Sequence, residues 1–263
     1  MANQTQNISI IPAQRNDIPI LAAISEAALE KDSQTEMKSH GGKEAFSMKE
    51  YSLSSLPGLL RKPKARVIKA VDTNTGVIMG HCIWGFRGMH PPDFPADDDD
   101  DDTPNPTSSS ADVNDPQFTE NSNAGEPDEA KDDGGPIARL ERFTDADFKE
   151  WMDSVMPEGA ACLYIIGLYV LPAFQRRGVG SALLKWGTDL VDAAAADKNA
   201  FAWVHSSAGA WKAYEKAGFE VVRTLDVDLD EYAPVPAPED RYEGGKWGRY
   251  VFRYMIYRSK LKV

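Results

Sequence analysis

Between Leu171 and Leu184 the chain places two arginines and two glycines where a strand should pass into a helix. The segment reads Leu171-Pro-Ala-Phe-Gln-Arg-Arg-Gly-Val-Gly-Ser-Ala-Leu-Leu184. Consecutive backbone N–H groups at a helix start form an anion site, and the helix dipole reinforces it. Gly178 and Gly180 carry no Cβ, so a phosphate can come close to the backbone there. Arg176 and Arg177 add positive charge. The chemistry implied is the binding of a phosphate-bearing ligand. Other phosphate loops fit less well. A Walker loop needs Gly-Lys-Ser/Thr, and no Lys follows these glycines. A dinucleotide fingerprint needs a third glycine three positions after Gly180, where the chain has Leu183. Spacing alone leaves a second reading open, a tight strand-to-helix turn that binds nothing.

The elements that must position this loop are legible on either side of it. Leu163–Val170 is a continuous apolar run, as expected of a central strand buried on both faces. Val179, Leu183, Trp186, Leu190 and Ala194 fall at helical spacing after it. Phe201–Val204 predicts a short strand. Ala208–Ala217 predicts a helix stopped by Gly218, a position suited to left-handed dihedrals. Phe219–Leu225 and Tyr250–Tyr257 alternate as strands, with a long loop, rich in proline, over 226–248. Upstream, Ile8–Pro12 reads as a strand, and Asn16 or Asp17 is placed to cap a helix with Pro19 in its first turn. Helix is also expected between Thr35 and Leu60, broken at Gly41-Gly42. Arg66–Val71 and Val77–Phe86 flank the turn chemistry of Asp72-Thr-Asn-Thr-Gly76 and predict a hairpin. Leu140, Phe143, Phe148, Trp151 and Met152 predict a helix ending before Pro157. The expected architecture is one mixed α/β domain over residues 1–263, with a sheet that is mainly antiparallel.

Composition separates one stretch from this body. The 263 residues carry a formal net charge of -12, and 42% are hydrophobic. Pro91–Pro136 holds 15 acidic residues and one basic residue, Lys131, including the run Asp97–Asp102. Without it, 28 basic and 26 acidic residues remain, so the acidity belongs to the insert. With few apolar residues, such a stretch cannot offset its ordering entropy, and disorder is expected over 91–136. A flexible acidic run ordinarily solubilises rather than holds a metal, and no metal site is assigned. No basic stripe dominates the chain, which argues against nucleic acid as a partner. No apolar run is long enough for a bilayer, and Met1–Gln6 lacks a signal pattern. A soluble, cytoplasmic protein, monomer or homodimer, is the expectation. Cys82 and Cys162 lie in apolar runs and suggest buried free thiols rather than a disulfide or a thiol relay.

Taken whole, strand, proline, Gln175-Arg-Arg-Gly-Val-Gly180 and helix resemble the GNAT (GCN5-related) N-acetyltransferases. Their signature, Gln/Arg-x-x-Gly-x-Gly/Ala, stands here without departure. A second familial stretch is Phe201-Ala-Trp-Val-His-Ser-Ser-Ala-Gly-Ala-Trp-Lys-Ala-Tyr-Glu-Lys-Ala-Gly-Phe219, where Tyr214 matches the family's tyrosine and Gly218-Phe219 its helix stop. The resemblance covers nearly all the chain except roughly 91–136 and the loop before Tyr250. It implies a central sheet of about seven strands flanked by helices, and acetyl-CoA as co-substrate. It also implies that Gln175, Arg176, Arg177, Gly178, Val179, Gly180 and Ser181 hold the pyrophosphate, chiefly through backbone amides. The strand backbone at Leu168, Tyr169 and Val170 would pair with the pantetheine arm and hold the acetyl carbonyl, where an amide donor would stabilise the oxyanion. Tyr214 would act as general acid toward the departing thiolate.

The general base is not evident. Leu163–Val170 holds no Asp or Glu, and His205 is a candidate because an unperturbed imidazole suits proton uptake near neutrality. His81, Glu158 and Tyr164 are weaker candidates, and packing or surface polarity explains each of the four more simply. Tyr232, Tyr242 and Trp247 in the long loop are candidates to line an acceptor pocket, although aromatic residues more often fill a core. The acceptor is expected to be a small-molecule amine, with a protein or peptide amine as the alternative. A CoA-binding module without catalysis is a rival that would not need Tyr214.

Overall fold

The computed structural model describes residues 7–41, 45–93 and 134–259. The acidic run Asp97–Asp102, and nearly all of the stretch expected to be disordered, lie outside them, as does Gly42. Seven strands form one sheet in the order β1-β2-β3-β4-β5-β7-β6. These are β1 (Ile8–Pro12), β2 (Ala65–Asp72), β3 (Ile78–Arg87), β4 (Cys162–Val170), β5 (Phe201–Ser206), β6 (Glu220–Asp228) and β7 (Arg249–Arg258). Every pairing is antiparallel except β4 with β5, which is parallel. A parallel neighbour requires a crossover, and α5 (Val179–Lys198) supplies it. The expected mixed, mostly antiparallel α/β sheet is therefore present.

Helices cover both faces. On one, α5 and the short α6 (Trp211–Lys216) pack on a cluster that includes Cys82, Trp84, Leu163, Ile165, Leu183 and Val204. Leu183, Leu184 and Val191 of α5 are fully buried, which is the apolar stripe its spacing predicts. On the other face, α1 (Ile18–Leu29) and α3 (Met48–Arg61) cover the β1–β4 half through Leu21, Ile24, Leu56, Val67 and Ile83. The α4 helix (Gly135–Val155) covers the β5–β7 half, where Trp151 and Val155 meet Trp203 and Tyr254. The short α2 (Ser33–Ser39) brings Met37 onto a separate cluster with Leu229, Trp247 and Tyr250.

Two local expectations need correction. Asp17 does precede α1, but its side chain does not cap it. Its carboxylate instead accepts the Gln14 N–H at 2.7 Å, closing a capping box on the 3₁₀ turn Arg15–Asp17 that leads into α1, and pairs with Lys69 Nζ at 2.5 Å. The long loop is also shorter than 226–248. Strand β6 runs on to Asp228, because Val227 and Leu229 are buried against α2 and α4 residues.

Candidate active site

The site starts from a mismatch between two strands. Strand β4 pairs with β3 along its whole length, from Arg87↔Cys162 to Gly80↔Val170. Against β5 it pairs only from Cys162↔Phe201 to Ile165↔Val204. At the point of parting, the β3–β4 register slips, so that Ile83 faces Gly167 while Trp84 faces Ile165. The extra residue, Ile166, is a bulge that bends β4 away from β5. Beyond it, the backbone of Ile166–Val170 has no ladder partner on the β5 side. Backbone N–H and C=O groups near a core need partners, so this edge is an open seat for an extended, amide-bearing ligand.

The glycine loop closes the far end of the seat. A 3₁₀ turn, Pro172–Phe174, leads from β4 into it. Gln175 Nε2 donates to the Val170 carbonyl at 3.1 Å, which straps the loop to the strand end. Arg176 and Gly178 take left-handed backbone, with φ of 59° and 88°. Val179 is buried and anchors the first turn of α5 in the core. The first α-helical bond runs from Ala182 N–H to the Gly178 carbonyl at 2.9 Å, so the amides of Val179, Gly180 and Ser181 are the unpaired donors of a helix start. Gly178 needs its glycine for φ. Gly180 does not: its φ is ordinary, and an added Cβ would meet only Val170 Cγ2, at 3.8 Å. The chain's own packing leaves that space open, which fits a phosphate-bearing group lying against the backbone. The loop residues therefore fit the pyrophosphate of acetyl-CoA, with Gln175 shaping the loop through its side chain.

Tyr214 stands on α6 and is 4% exposed. Its place is fixed by how α6 ends. Gly218, at φ 93°, lets Phe219 N–H donate to the Tyr214 carbonyl at 3.0 Å and Gly218 N–H to the Glu215 carbonyl at 2.9 Å. This is a Schellman stop, and its usual apolar contact is the edge-to-face pair of Tyr214 with Phe219, centroids 5.8 Å apart. Burial pushes the Tyr214 phenol well above its ordinary value, and the neighbouring Cys82 and Tyr169 push it further the same way. The proton stays on the oxygen through the neutral range.

The base candidates are packed rather than poised. His205 lies between Phe148 and Tyr254, stacked on Tyr254 at 4.6 Å, and its buried Nε2 has no partner among the described residues. Burial lowers its pKa to about 4, against a smaller upward pull from Asp147. A folded value below the ordinary 6.5 means the unfolded chain binds the proton more readily. The stabilisation from keeping His205 neutral is thus complete above pH 6.5 and is lost as pH falls toward 4. The expected result by NMR is a His205 ring resonance that titrates near pH 4; a midpoint at 6.5 would contradict the packing. His81 is fully buried, with a pKa lowered to about 3 by burial. Tyr164 stacks on Trp203 at 5.4 Å and lies across Gly85, where a Cβ would come within 2.2 Å of its ring. Glu158 is exposed in the turn before β4.

The loop aromatics are each held by a specific partner. Trp247 is buried and donates Nε1–H to the Val235 carbonyl at 2.8 Å. Tyr242 donates to Glu36 Oε2 at 2.9 Å, and Arg241 pairs with the same carboxylate. Tyr232 stacks on Phe143. Tyr250, at the start of β7, donates to Asp32 Oδ2 at 2.7 Å, while Asp32 Oδ1 accepts the Thr35 N–H and caps α2. Asp32 and Glu36 thus tie α2 to the β6–β7 side. Sequence reasoning missed both; the one available signal was Asp32 three residues before Thr35, an N-cap spacing.

A seven-stranded sheet parted between β4 and β5, with a glycine loop and helix start at the parting, defines the GNAT class of fold. Residues 95–219 match the family model for the Acetyltransferase (GNAT) family, the family that the motifs resemble. No curated protein matches the chain in sequence. Among solved structures, a mosquito arylalkylamine N-acetyltransferase, like 5b, aligns at TM-score 0.50 and 17% identity, over 96% of this chain and 100% of that one. The C-terminal condensation domain of Ebony, in complex with beta-alanyl-dopamine, aligns at TM-score 0.53 and 11% identity, over 95% and 98%. At such identities the likeness is one of fold.

Proposed function

We propose that this chain transfers the acetyl group of acetyl-CoA to the nitrogen of a small primary amine, by direct attack. The observation that carries the reading is the parting of β4 from β5 beside Gly180, with Tyr214 packed in the cluster on the α5–α6 face of the same sheet. Acetyl-CoA supplies an acyl group already activated as a thioester. Val179, Gly180 and Ser181 offer helix-start amides to its phosphates, with Arg176 and Arg177 adding charge. Leu168, Tyr169 and Val170 offer strand backbone along the open edge of β4, where an N–H can steady the oxyanion that forms when nitrogen attacks. Tyr214 donates a hydrogen bond, and then its proton, as negative charge builds on the leaving sulfur, while the proton that nitrogen loses passes to solvent and solvent restores the phenol's proton. Direct attack is favoured over a thiol relay because burial pushes Cys162 up to about 12 and Cys82 higher still, so neither is a ready thiolate.

A small acceptor is favoured by the bonds across the rim. Glu36 and Asp32 of the α2 side are held by Arg241, Tyr242 and Tyr250 of the β6–β7 side, ties that suit a small acceptor better than a peptide laid between the two sides. The name of the mosquito fold relative, an arylalkylamine acetyltransferase, is in keeping with that size of acceptor. No helix among the described residues is long and apolar enough to cross a membrane, so no embedded substrate is invoked. Measuring free CoA released with a panel of small amines beside a panel of peptides tests the reading. Turnover confined to small amines is expected; turnover only with peptides would overturn the acceptor class.

A further inference from the structure

One polar group at the parting of the strands has no task in the account so far. Tyr169 enters it only through its backbone, yet its side chain is placed unusually. The ring does not stand off β4; it lies back over Gly167, the first residue beyond the bulge. A Cβ on Gly167 would sit 2.5 Å from Tyr169 Cε2 and 3.0 Å from its Oη. Only a glycine at 167 lets the phenol occupy that place. From the other side the ring is backed by His81, its register partner on β3, with centroids 5.0 Å apart. His81 is fully buried and holds its own position through Ser25 Oγ of α1, at 3.4 Å from Nε2. The ring is thus wedged between Gly167 and His81.

The hydroxyl is left without a use. It makes no hydrogen bond to any described residue, and Tyr169 as a whole is only partly buried. A core tyrosine whose oxygen served packing alone would ordinarily be bonded or replaced by phenylalanine. The side of the sheet also matters. Tyr169 belongs with the α1–α3 face, whereas Tyr214 belongs with the α5–α6 face. The two phenols therefore belong to opposite faces of the sheet that parts between β4 and β5. In amide formation from a thioester, the incoming nitrogen and the outgoing sulfur are two substituents of one tetrahedral carbon. A group serving sulfur from one face leaves the nitrogen to be served from the other.

Resting on the proposed acetyl transfer, we infer that the Tyr169 phenol binds the acceptor: its oxygen accepts an N–H hydrogen bond from the incoming primary amine and aims the nitrogen lone pair at the acetyl carbon. It binds and orients and does not remove the proton. Burial holds the phenol well above its ordinary pKa and the adjoining imidazole far below, so neither changes charge near neutrality. That distinction is measurable.

The test uses the full chain with acetyl-CoA and a panel of primary amines: ethylamine, 2-phenylethylamine, putrescine and spermidine. Tyr169→Phe keeps the ring, the wedge and the backbone. Loss of one hydrogen bond to the amine is expected to raise KM for the best amine about tenfold. The fold by thermal melting and the Kd for acetyl-CoA by calorimetry should be unchanged. The pH profile of kcat/KM should keep its shape, which removal of a base would alter. Gly167→Ala is the second variant: it keeps the hydroxyl but forces the ring aside, and should raise the same KM. An unchanged amine KM in folded Tyr169→Phe would overturn the inference while leaving acetyl transfer standing. A changed acetyl-CoA Kd with an unchanged amine KM would assign the hydroxyl to the cofactor and overturn it too. No turnover of any amine by the unaltered chain would remove the inference together with the reading it rests on.

Discussion

Replacing Tyr214 with phenylalanine is expected to slow acetyl transfer by a hundredfold or more, on the order of 10² to 10⁴, the usual loss for one positioned acid. The variant is clean because little else about Tyr214 depends on its oxygen. The ring's edge-to-face contact with Phe219 and the backbone bonds through Gly218 and Phe219 persist in Tyr214→Phe. Cofactor affinity and melting temperature should therefore stay near those of the unaltered chain. The burial that keeps the phenol protonated also has a consequence for pH. Any alkaline limb in the rate near neutrality belongs to the amine or another group, and Tyr214→Phe should lower the profile without moving it. Single-turnover rates are the readout, because a slow product-release step could mask the loss in steady-state kcat. A full single-turnover rate would take Tyr214 out of the mechanism and leave the fold and the glycine loop where they are.

The second large effect concerns the cradle. Gly180→Val is expected to weaken acetyl-CoA binding at least tenfold, equivalent to about 1.4 kcal/mol. Gly180 and Gly178 look alike in the motif but differ in kind. Gly178 sits at φ 88°, where any side chain is strained whatever the ligand does, so its substitution confounds folding with binding. Gly180 has ordinary dihedrals and open space over its Cα, with Val170 Cγ2 the nearest contact at 3.8 Å. A valine there meets the incoming phosphate and little of the protein. Calorimetry on the variant, with its melt recorded beside it, checks this; unchanged affinity in a folded Gly180→Val would move the cofactor elsewhere.

Much of this site could be read from residue order alone, for a physical reason. The anion loop and the stop of α6 are local structures, built from contiguous residues whose bonds span five positions or fewer. The apolar run of β4, the glycines and Gly218-Phe219 carry that information in their spacing. What escaped was set by partners distant in sequence. The bulge at Ile166 depends on the pairing of β4 with β3, and nothing in Ile165-Ile166-Gly167 announces it. Asp17 does cap, but it caps the 3₁₀ turn before α1, and its second partner, Lys69, lies 52 residues on. Tyr232 and Tyr242 are held by Phe143 of α4 and Glu36 of α2, partners about ninety and two hundred residues away, and Trp247 by Val235 within the loop, contacts that loop composition does not announce. His205 had the right ordinary pKa for a base and the wrong surroundings, three rings close about it.

The most direct measurement is mass spectrometry of a mixture of the chain, acetyl-CoA and the amine panel. Both the amines and the protein are weighed, beside the Gly180→Val variant. The account predicts one acetyl group gained by an amine, stoichiometric release of free CoA, no acetyl group on Cys82 or Cys162, and a much slower reaction in the variant. Acetyl-CoA bound but recovered intact across the panel would contradict it and make the chain a CoA-binding module. An acetyl group trapped on a cysteine of the protein would contradict direct transfer.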